Sequence, residues 1–350
     1  MLGSEELQAA YLLDQKIHVG ELPDPIPGTG QVLVRTHSCG MCASDLHIMQ
    51  HGTRLAAWSR EYNGPFEMDL SRPIVLGHEY VAEIVDFGPD TQRRQKKGTR
   101  VTSQPLIQRR DGFAIVGISN DYPGGFGEYM VLSEIYLRPL PDSLDTDIAA
   151  MAEPVCVGLS YVRQARLQDD DIPLVVGCGA IGQAMIMALR LTNCRPIIAS
   201  DPAPSRRAMA MQMGADIVVD PRAESPYTAP QGAVGKAPNV IFECVGVPGV
   251  VDEIVRRCTY AARIIVPGWC LEPDHMLSVC AHTKALNIQY GCKAMDEDFD
   301  RAVRGLGDGN IDPSAWLGGR IRLDQVDERL NGVADPLNPI RLVVDPRLGS

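Results

Sequence analysis

Two hydrophobic periods divide the chain. Up to about residue 145, apolar and polar positions alternate in short runs, most clearly in Gln31-Val-Leu-Val-Arg-Thr and Tyr80-Val-Ala-Glu-Ile-Val-Asp-Phe. A period of two turns alternate side chains toward a core and toward water, so these runs predict half-buried strands. Turn residues separate them at Pro23-Asp-Pro-Ile-Pro-Gly, Gly88-Pro-Asp and Pro123-Gly-Gly. Short strands with frequent turns predict a rolled sheet or partly closed barrel.

The pattern changes near Leu140-Pro-Asp-Ser, and Asp145 to Ala165 has helical spacing. Apolar strands then alternate with helices. The strands are Leu174-Val-Val, Pro196-Ile-Ile-Ala, Ile217-Val-Val, Asn239-Val-Ile-Phe, Arg263-Ile-Ile-Val and Leu286-Asn-Ile-Gln; the helices are Gln183 to Leu191, Ser205 to Met213 and Val250 to Cys258. That alternation predicts a doubly wound parallel sheet. Ala223 to Lys236, rich in Pro, Ala and Gly, reads as a loop. The tail from Glu297 reads as a helix, turns and a last strand, Ile340-Arg-Leu-Val-Val, expected to rejoin the first domain. The expected organisation is an α/β protein with a β-rich catalytic domain over 1–147 and 292–350. A dinucleotide-binding domain would span 148–291.

Bulk properties narrow the class. A length of 350 residues favours two domains over one core. No apolar run reaches the ~18–20 residues of a membrane span. Met1 to Ala10 lacks the basic and apolar regions of a secretory signal. A net charge of −11 argues against a nucleic-acid partner. The ten cysteines are scattered, with Cys194, Cys258, Cys270, Cys280 and Cys292 among them, and in a chain without a signal they read as reduced thiols in a cytoplasm.

Gly177-Cys178-Gly179-Ala180-Ile181-Gly182 follows a strand and opens a helix. In that context Gly177 permits a tight turn, Gly179 lets the backbone approach a pyrophosphate, and Gly182 allows close helix–strand packing. The helix start offers free N–H groups to phosphate. Asp201, at the end of the next strand, would accept hydrogen bonds from ribose hydroxyls and repel a 2′-phosphate, which favours NAD. Arg206 and Arg207 are the opposing signal, as acceptors of that phosphate or as solvated helix-start charges.

Gly40-Met-Cys-Ala-Ser-Asp-Leu-His and Gly77-His-Glu carry the second chemistry. Cysteine thiolate and imidazole are zinc ligands, and a catalytic zinc keeps three protein ligands and one open position. Cys42 and His78 are the first two. Glu153, in Ala152-Glu-Pro-Val-Cys at the domain junction, is the first choice for the third, with Cys156 and Glu79 as rivals. Cys39 and Cys42 also form a C-x-x-C, readable as a redox pair or half a zinc knuckle, but no second C-x-x-C completes a knuckle.

These motifs together resemble the zinc-dependent medium-chain dehydrogenases, the alcohol and polyol dehydrogenases, over essentially the whole length. Gly124-Gly-Phe-Gly-Glu-Tyr and Phe242-Glu-Cys-Val-Gly match further family segments, the latter placing Val245 beside the nicotinamide. The resemblance implies a GroES-like catalytic domain and a Rossmann cofactor domain. It implies that Cys42 and His78 hold zinc, that Ser44 hydrogen-bonds the substrate oxygen, and that His47 continues a proton relay. Asp45 would orient His78. Glu153-Pro resembles the polyol branch, with Cys156 in the alternative slot. It further implies a small alcohol or carbonyl substrate, no membrane or nucleic-acid partner, and a homodimer or homotetramer.

Two departures stand out. Val101 to Gly117 lacks the four-cysteine lobe of many relatives, so one zinc per chain and no structural zinc are expected. Ile48 to Pro73 is long and carries Arg54, Trp58, Arg60, Tyr62 and Phe66; it is expected to project over the site as a lid or to serve a subunit contact. Two other functions fit the same fold: a zinc-free reductase of activated C=C or carbonyl bonds, and a catalytically silent dinucleotide-binding protein. Cys42, His78 and Glu153 argue against the first, and intact Ser44 and His47 against the second.

Overall fold

The computed structural model describes residues 6–348 apart from 111, 229, 230, 292, 293, 334, 336 and 339. Residues 1–5, Cys292 and the expected boundary at 292 lie outside the described residues. The chain forms two compact units, Met1–Glu153 with Phe299–Ser350, and Pro154–Asp298.

The first unit begins with β1 (Glu6–Leu13), β2 (Lys16–Pro23), β3 (Gln31–Gly40), α1 (Ala43–Tyr62), β4 (Ile74–Val75) and β5 (Glu79–Phe87). It continues through β6 (Arg100–Ser103), β7 (Leu106–Arg109), β8 (Gly112–Ile115), β9 (Tyr129–Ser133), β10 (Leu137–Pro139) and α2 (Thr146–Ala150). The helix α3 (Ala152–Gln164) leads out of it. Its largest sheet runs β10-β6-β5-β3 and on to two C-terminal strands, with β9 also on β3. Burial alternates along most of β1, as its period of two requires, whereas β3, expected to be half-buried, is buried in runs at Val32–Val34 and Ser38–Gly40 because it is a central strand paired on both edges.

The register of β3 against β5 positions the site. Gly40 pairs with Glu79 and Cys39 with Tyr80, antiparallel. The end of one strand therefore meets the start of the other, and the residues just beyond, Cys42 and His78, emerge at the same end of the sheet. On its other edge β3 pairs with β9 through Gln31–Arg35, then with the last strand through Cys39 and Gly40. That change of partner brings the C-terminus to the same place.

Ile48 to Pro73 is largely helical. Most of it is α1, whose buried positions Leu46, Met49, Gly52, Leu55, Ala56 and Ser59 follow the three-and-four spacing of a helix with one face on a core. Asn63 ends it in the left-handed conformation (φ 53°), and Ser59 accepts hydrogen bonds from Gly64 N (2.8 Å) and Phe66 N (2.8 Å). Beyond the helix, Leu70 lies against Gly52, and Asp69 N donates to Asn120 (2.8 Å).

The second unit holds β11 (Pro173–Val176), α4 (Ala180–Arg190), β12 (Ile198–Ser200), α5 (Pro204–Met213), β13 (Ile217–Val219), α6 (Gln231–Val234), β14 (Val240–Glu243), α7 (Val250–Arg257), β15 (Arg263–Val266), α8 (Ser278–Thr283) and β16 (Asn287–Tyr290). Its six strands are parallel in the order β13-β12-β11-β14-β15-β16, the doubly wound pattern. Leu174, Ile198, Ile241 and Ile264 from four adjacent strands pack with Val251, Ile254 and Val255 of α7. The segment expected as a loop at 223–236 contains the short α6. Finally α9 (Asp296–Gly307) leads back to the first unit through β17 (Leu317–Ile321), α10 (Val326–Asn331) and β18 (Arg341–Val344).

Candidate active site

Cys42 caps α1 and Ser44, Asp45 and His47 occupy its first turns. Asp45 is fully buried and has three partners. Its Oδ2 accepts the Cys42 N–H (3.0 Å), while Oδ1 lies 3.4 Å from both Gly77 N and His78 Nδ1. One carboxylate thus fixes the helix start, the Gly77 turn and one edge of the imidazole. The other edge, Nε2, is 3.1 Å from Ser44 Oγ.

A tight glycine knot holds the turn. Gly77 has φ +96°, and a Cβ there would stand 2.8 Å from Cys39 Sγ; one on Gly125 would stand 2.6 Å from the same sulfur. Cys39 is buried, and burial pushes its thiol well up, so it acts as packing for the turn rather than as a redox partner of Cys42. Gly40 makes room for a ligand: a Cβ there would meet Glu79 Oε2 at 2.4 Å.

Cys42 Sγ, a His78 nitrogen and a Glu79 oxygen lie within 4.8 Å of one another, the one such donor group among the described residues. Of the carboxylates and thiol expected to compete for the third position, Glu79 belongs to this group, delivered by the β3–β5 register. Glu153 sits in the first turn of α3 close by. Burial pushes its carboxyl up to about 7, against the pull of His78 and with the push of Glu79. Cys156 lies in the second unit, buried, its Sγ 3.9 Å from Ser160 Oγ.

Arg341, not among the residues the sequence motifs single out, completes the cluster. Its side chain is buried, Nη1 donates to Met41 O (2.7 Å) and stands 3.0 Å from Glu79 Oε1. A charged residue inside the apolar run Ile340-Arg-Leu-Val-Val was the available signal, since a buried guanidinium requires a partner.

The cluster fits a divalent cation. Cys42, Asp45, Glu79 and Glu153 can all carry negative charge, against one guanidinium. Neither Glu79 oxygen completes a well-aligned hydrogen bond although both are buried. Burial opposes the charged imidazolium of His78, yet Asp45 and Cys42 outweigh it and hold His78 well above its ordinary range. The donor set is Cys–His–Glu, with Asp45 behind the imidazole as zinc-bound histidines require.

His47 is half-buried and its Nδ1 has no hydrogen-bond partner. Burial, then the charge of His51, lowers its proton affinity.

In the second unit the glycine loop sits between β11 and α4. Gly177 has φ +91°, and a Cβ there would meet Val245 at 2.7 Å. A Cβ on Gly182 would be 1.9 Å from Gly177 O, so the helix start rests on the turn. Gly179, the N-cap of α4, has open space where its Cβ would be, and Ala180 and Ile181 begin the helix. Asp201 accepts Cys178 N–H (2.9 Å) at one oxygen and Ala203 N–H (2.8 Å) at the other. Arg207 reaches Asp201 O (2.7 Å) and Asp220 (3.2 Å), and Arg206 is buried. Val245 is half exposed, its N–H held by Glu243 (2.8 Å).

A β-rich unit with a Cys–His–Glu cluster, continuous with a parallel sheet bearing a glycine loop, defines a two-domain oxidoreductase. Residues 28–142 match the alcohol dehydrogenase GroES-like domain, and residues 180–304 match the zinc-binding dehydrogenase domain. The chain is 30% identical to (R,R)-butanediol dehydrogenase of Bacillus subtilis over 275 residues, 75% of this chain and 78% of that protein. It is 28% identical to sorbitol dehydrogenase of Bos taurus, with 76% of each chain covered. The crystal structure of 2R,3R-butanediol dehydrogenase from Bacillus subtilis superposes with a TM-score of 0.82 at 24% identity, over 97% of this chain and 99% of that one. The chain belongs to the zinc-type medium-chain alcohol dehydrogenase family. It is an enzyme, an alcohol dehydrogenase of that family. Among the described residues no helix is long and apolar enough to cross a membrane.

Proposed function

We propose that the enzyme is a zinc-dependent, NAD-linked dehydrogenase that interconverts a secondary, cyclic or polyhydroxy alcohol and its carbonyl. The convergence of Cys42, His78 and Glu79, with Asp45 behind His78, carries this reading. Cys42, His78 and Glu79 would hold one zinc per chain, with Glu153 and Cys156 as alternative donors. When bound, zinc supplies Lewis acidity to the alcohol oxygen and nicotinamide supplies the hydride acceptor. Ser44 would take the alcohol proton and His47 would receive it; a half-buried imidazole with one unpartnered nitrogen supports that role. Asp45 keeps the imidazole of His78 oriented.

The glycine loop and the start of α4 would hold the pyrophosphate. Asp201 supports NAD over NADP. Its position is fixed by two backbone N–H groups, it retains lone pairs for ribose hydroxyls, and Asp220 engages Arg207. A homodimer or homotetramer is part of the proposal. The edge strand β16, with exposed Tyr290 on it and exposed Trp269, Leu277 and Val279 elsewhere in the unit, offers surface for it.

Metal analysis of the purified protein, with a screen of secondary, cyclic and polyhydroxy alcohols followed by NADH absorbance, tests the reading. About one zinc per chain and NADH formation with one alcohol class are expected. Full occupancy by a second zinc, or turnover unaffected by chelation, would overturn it.

A further inference from the structure

The exposure pattern of α1 carries information that the apolar stripe does not. Its partly buried residues are Ser44, His47, His51, Arg54 and Trp58, and every other residue of the helix is either buried or exposed. These five follow each other at intervals of three and four, so they form one continuous line along the helix. The line starts at Ser44, 3.1 Å from His78, and leads away from the metal-type cluster. From Ser44 to His51 the helix rises about 10 Å.

The two histidines on that line are paired. Their ring centroids are 6.4 Å apart and their planes 27° apart. His47 Nδ1 is buried and has no hydrogen-bond partner. We infer that His51 is the outer station of a proton path running Ser44 to His47 to His51 and then to water, and so sets how fast the alcohol proton leaves. This rests on the dehydrogenase reading above. His51 touches no reacting atom on this reading; it acts through His47.

The chemistry balances. The alcohol O–H bond breaks and the proton passes through the Ser44 hydroxyl to a ring nitrogen of His47. The proton on the other nitrogen of His47 passes to His51 through one water, since no hydrogen bond joins the two rings directly. His51 returns it to solvent, while the hydride leaves separately for the nicotinamide. Proximity of the rings makes two simultaneous charges unfavourable, so the pair holds one extra proton at a time. A handover needs that property. Without His51, a protonated His47 would have to release its proton from a half-buried position.

The test uses the full-length, zinc-loaded enzyme and its best alcohol. His51→Ala should lower kcat for oxidation about tenfold with KM nearly unchanged, and raise the solvent deuterium isotope effect on kcat. Imidazole added to His51→Ala should restore at least half of the lost rate. His51→Gln, of similar volume, should show the same loss and keep zinc. Wild-type kcat in both variants would overturn the inference. A loss accompanied by zinc release, or one that imidazole does not relieve, would assign His51 a structural role and overturn it equally. Ring-proton NMR reads the pair without turnover: His51→Gln should shift the His47 titration midpoint upward, and an unmoved midpoint would show the rings uncoupled. If wild type oxidises no alcohol while the NMR coupling is present, the dehydrogenase reading fails and the paired histidines stand.

Discussion

The metal-type cluster and the glycine loop are built on opposite plans. In the first unit the gathered atoms are side chains from four separated segments: Cys42, His78 with Glu79, Glu153 and Arg341. The β3–β5 register and the return of β18 bring most of them together. In the second unit the glycine loop offers backbone N–H groups from one contiguous run, and its shape depends on where side chains are missing. A side-chain site depends on long-range pairing and on charge balance. A backbone site depends on local conformation.

The contrast is broken most sharply at Cys42. Cys42→Ala should remove zinc and lower kcat/KM for the alcohol at least ~10³-fold, about 4 kcal/mol of transition-state stabilisation. NAD binding, measured by calorimetry, should survive, because the glycine loop contains none of the cluster's atoms. Joint loss of zinc and NAD binding would show that the two sites are not separable.

Asp45→Asn comes next. The amide keeps the shape but not the charge that orients His78. Zinc affinity should fall about 10–100-fold, read by competition with a chelator. Unchanged affinity would mean that the helix-cap contact to Cys42 N, which Asn can still make, is all that Asp45 provides.

The mirror experiment is Gly182→Ala. Its Cβ would stand 1.9 Å from Gly177 O, so the backbone of the turn must move. The Kd for NAD should rise at least ~tenfold, about 1.4 kcal/mol, with zinc content unaltered. An unchanged Kd would show that the turn can relax without losing the pyrophosphate.

These two plans also explain what could be read from the chain. The glycine loop and the parallel sheet were legible because their determinants are contiguous: a strand, a turn that needs Gly177, a helix start. Cys42 and His78 were legible because each lies in a compact motif. Glu79 was ranked below Glu153 because the choice depends on which carboxylate the register of β3 against β5 delivers, and no local pattern states that. Arg341 was missed because its partner, Glu79, is far away in sequence. The helix over Ala43–Tyr62 is legible only in the spacing of Leu46, Met49 and Leu55, whereas the aromatic and arginine residues of Ile48 to Pro73 point to a lid or a subunit contact without stating a secondary structure.

A smaller effect concerns cofactor choice. Asp201→Asn retains acceptance of one backbone N–H but removes the charge that would repel a 2′-phosphate. The ratio of kcat/KM for NAD over NADP should narrow by about tenfold. An unchanged ratio would place the selectivity in Arg206, Arg207 or another residue.

The smallest effect expected is at Glu153, and it decides between the two glutamates. Glu79 is fully buried, faces Arg341 at 3.0 Å and belongs to the donor group. Glu153 is partly buried, and its carboxyl is pushed up to about 7 mainly by burial. A carboxyl raised to about 7 is about half protonated near neutral pH, so an amide removes only part of a charge. Glu153→Gln should therefore keep zinc and change kcat/KM by no more than ~threefold near neutral pH. Glu79→Gln should lose zinc, because it removes a ligand charge and leaves Arg341 buried without its counter-ion. The opposite outcome, zinc lost from Glu153→Gln and kept by Glu79→Gln, would return the third ligand to α3. It would also recast Glu79 as the partner that neutralises Arg341. Measuring zinc per chain in the two variants side by side separates these assignments without any assay of turnover.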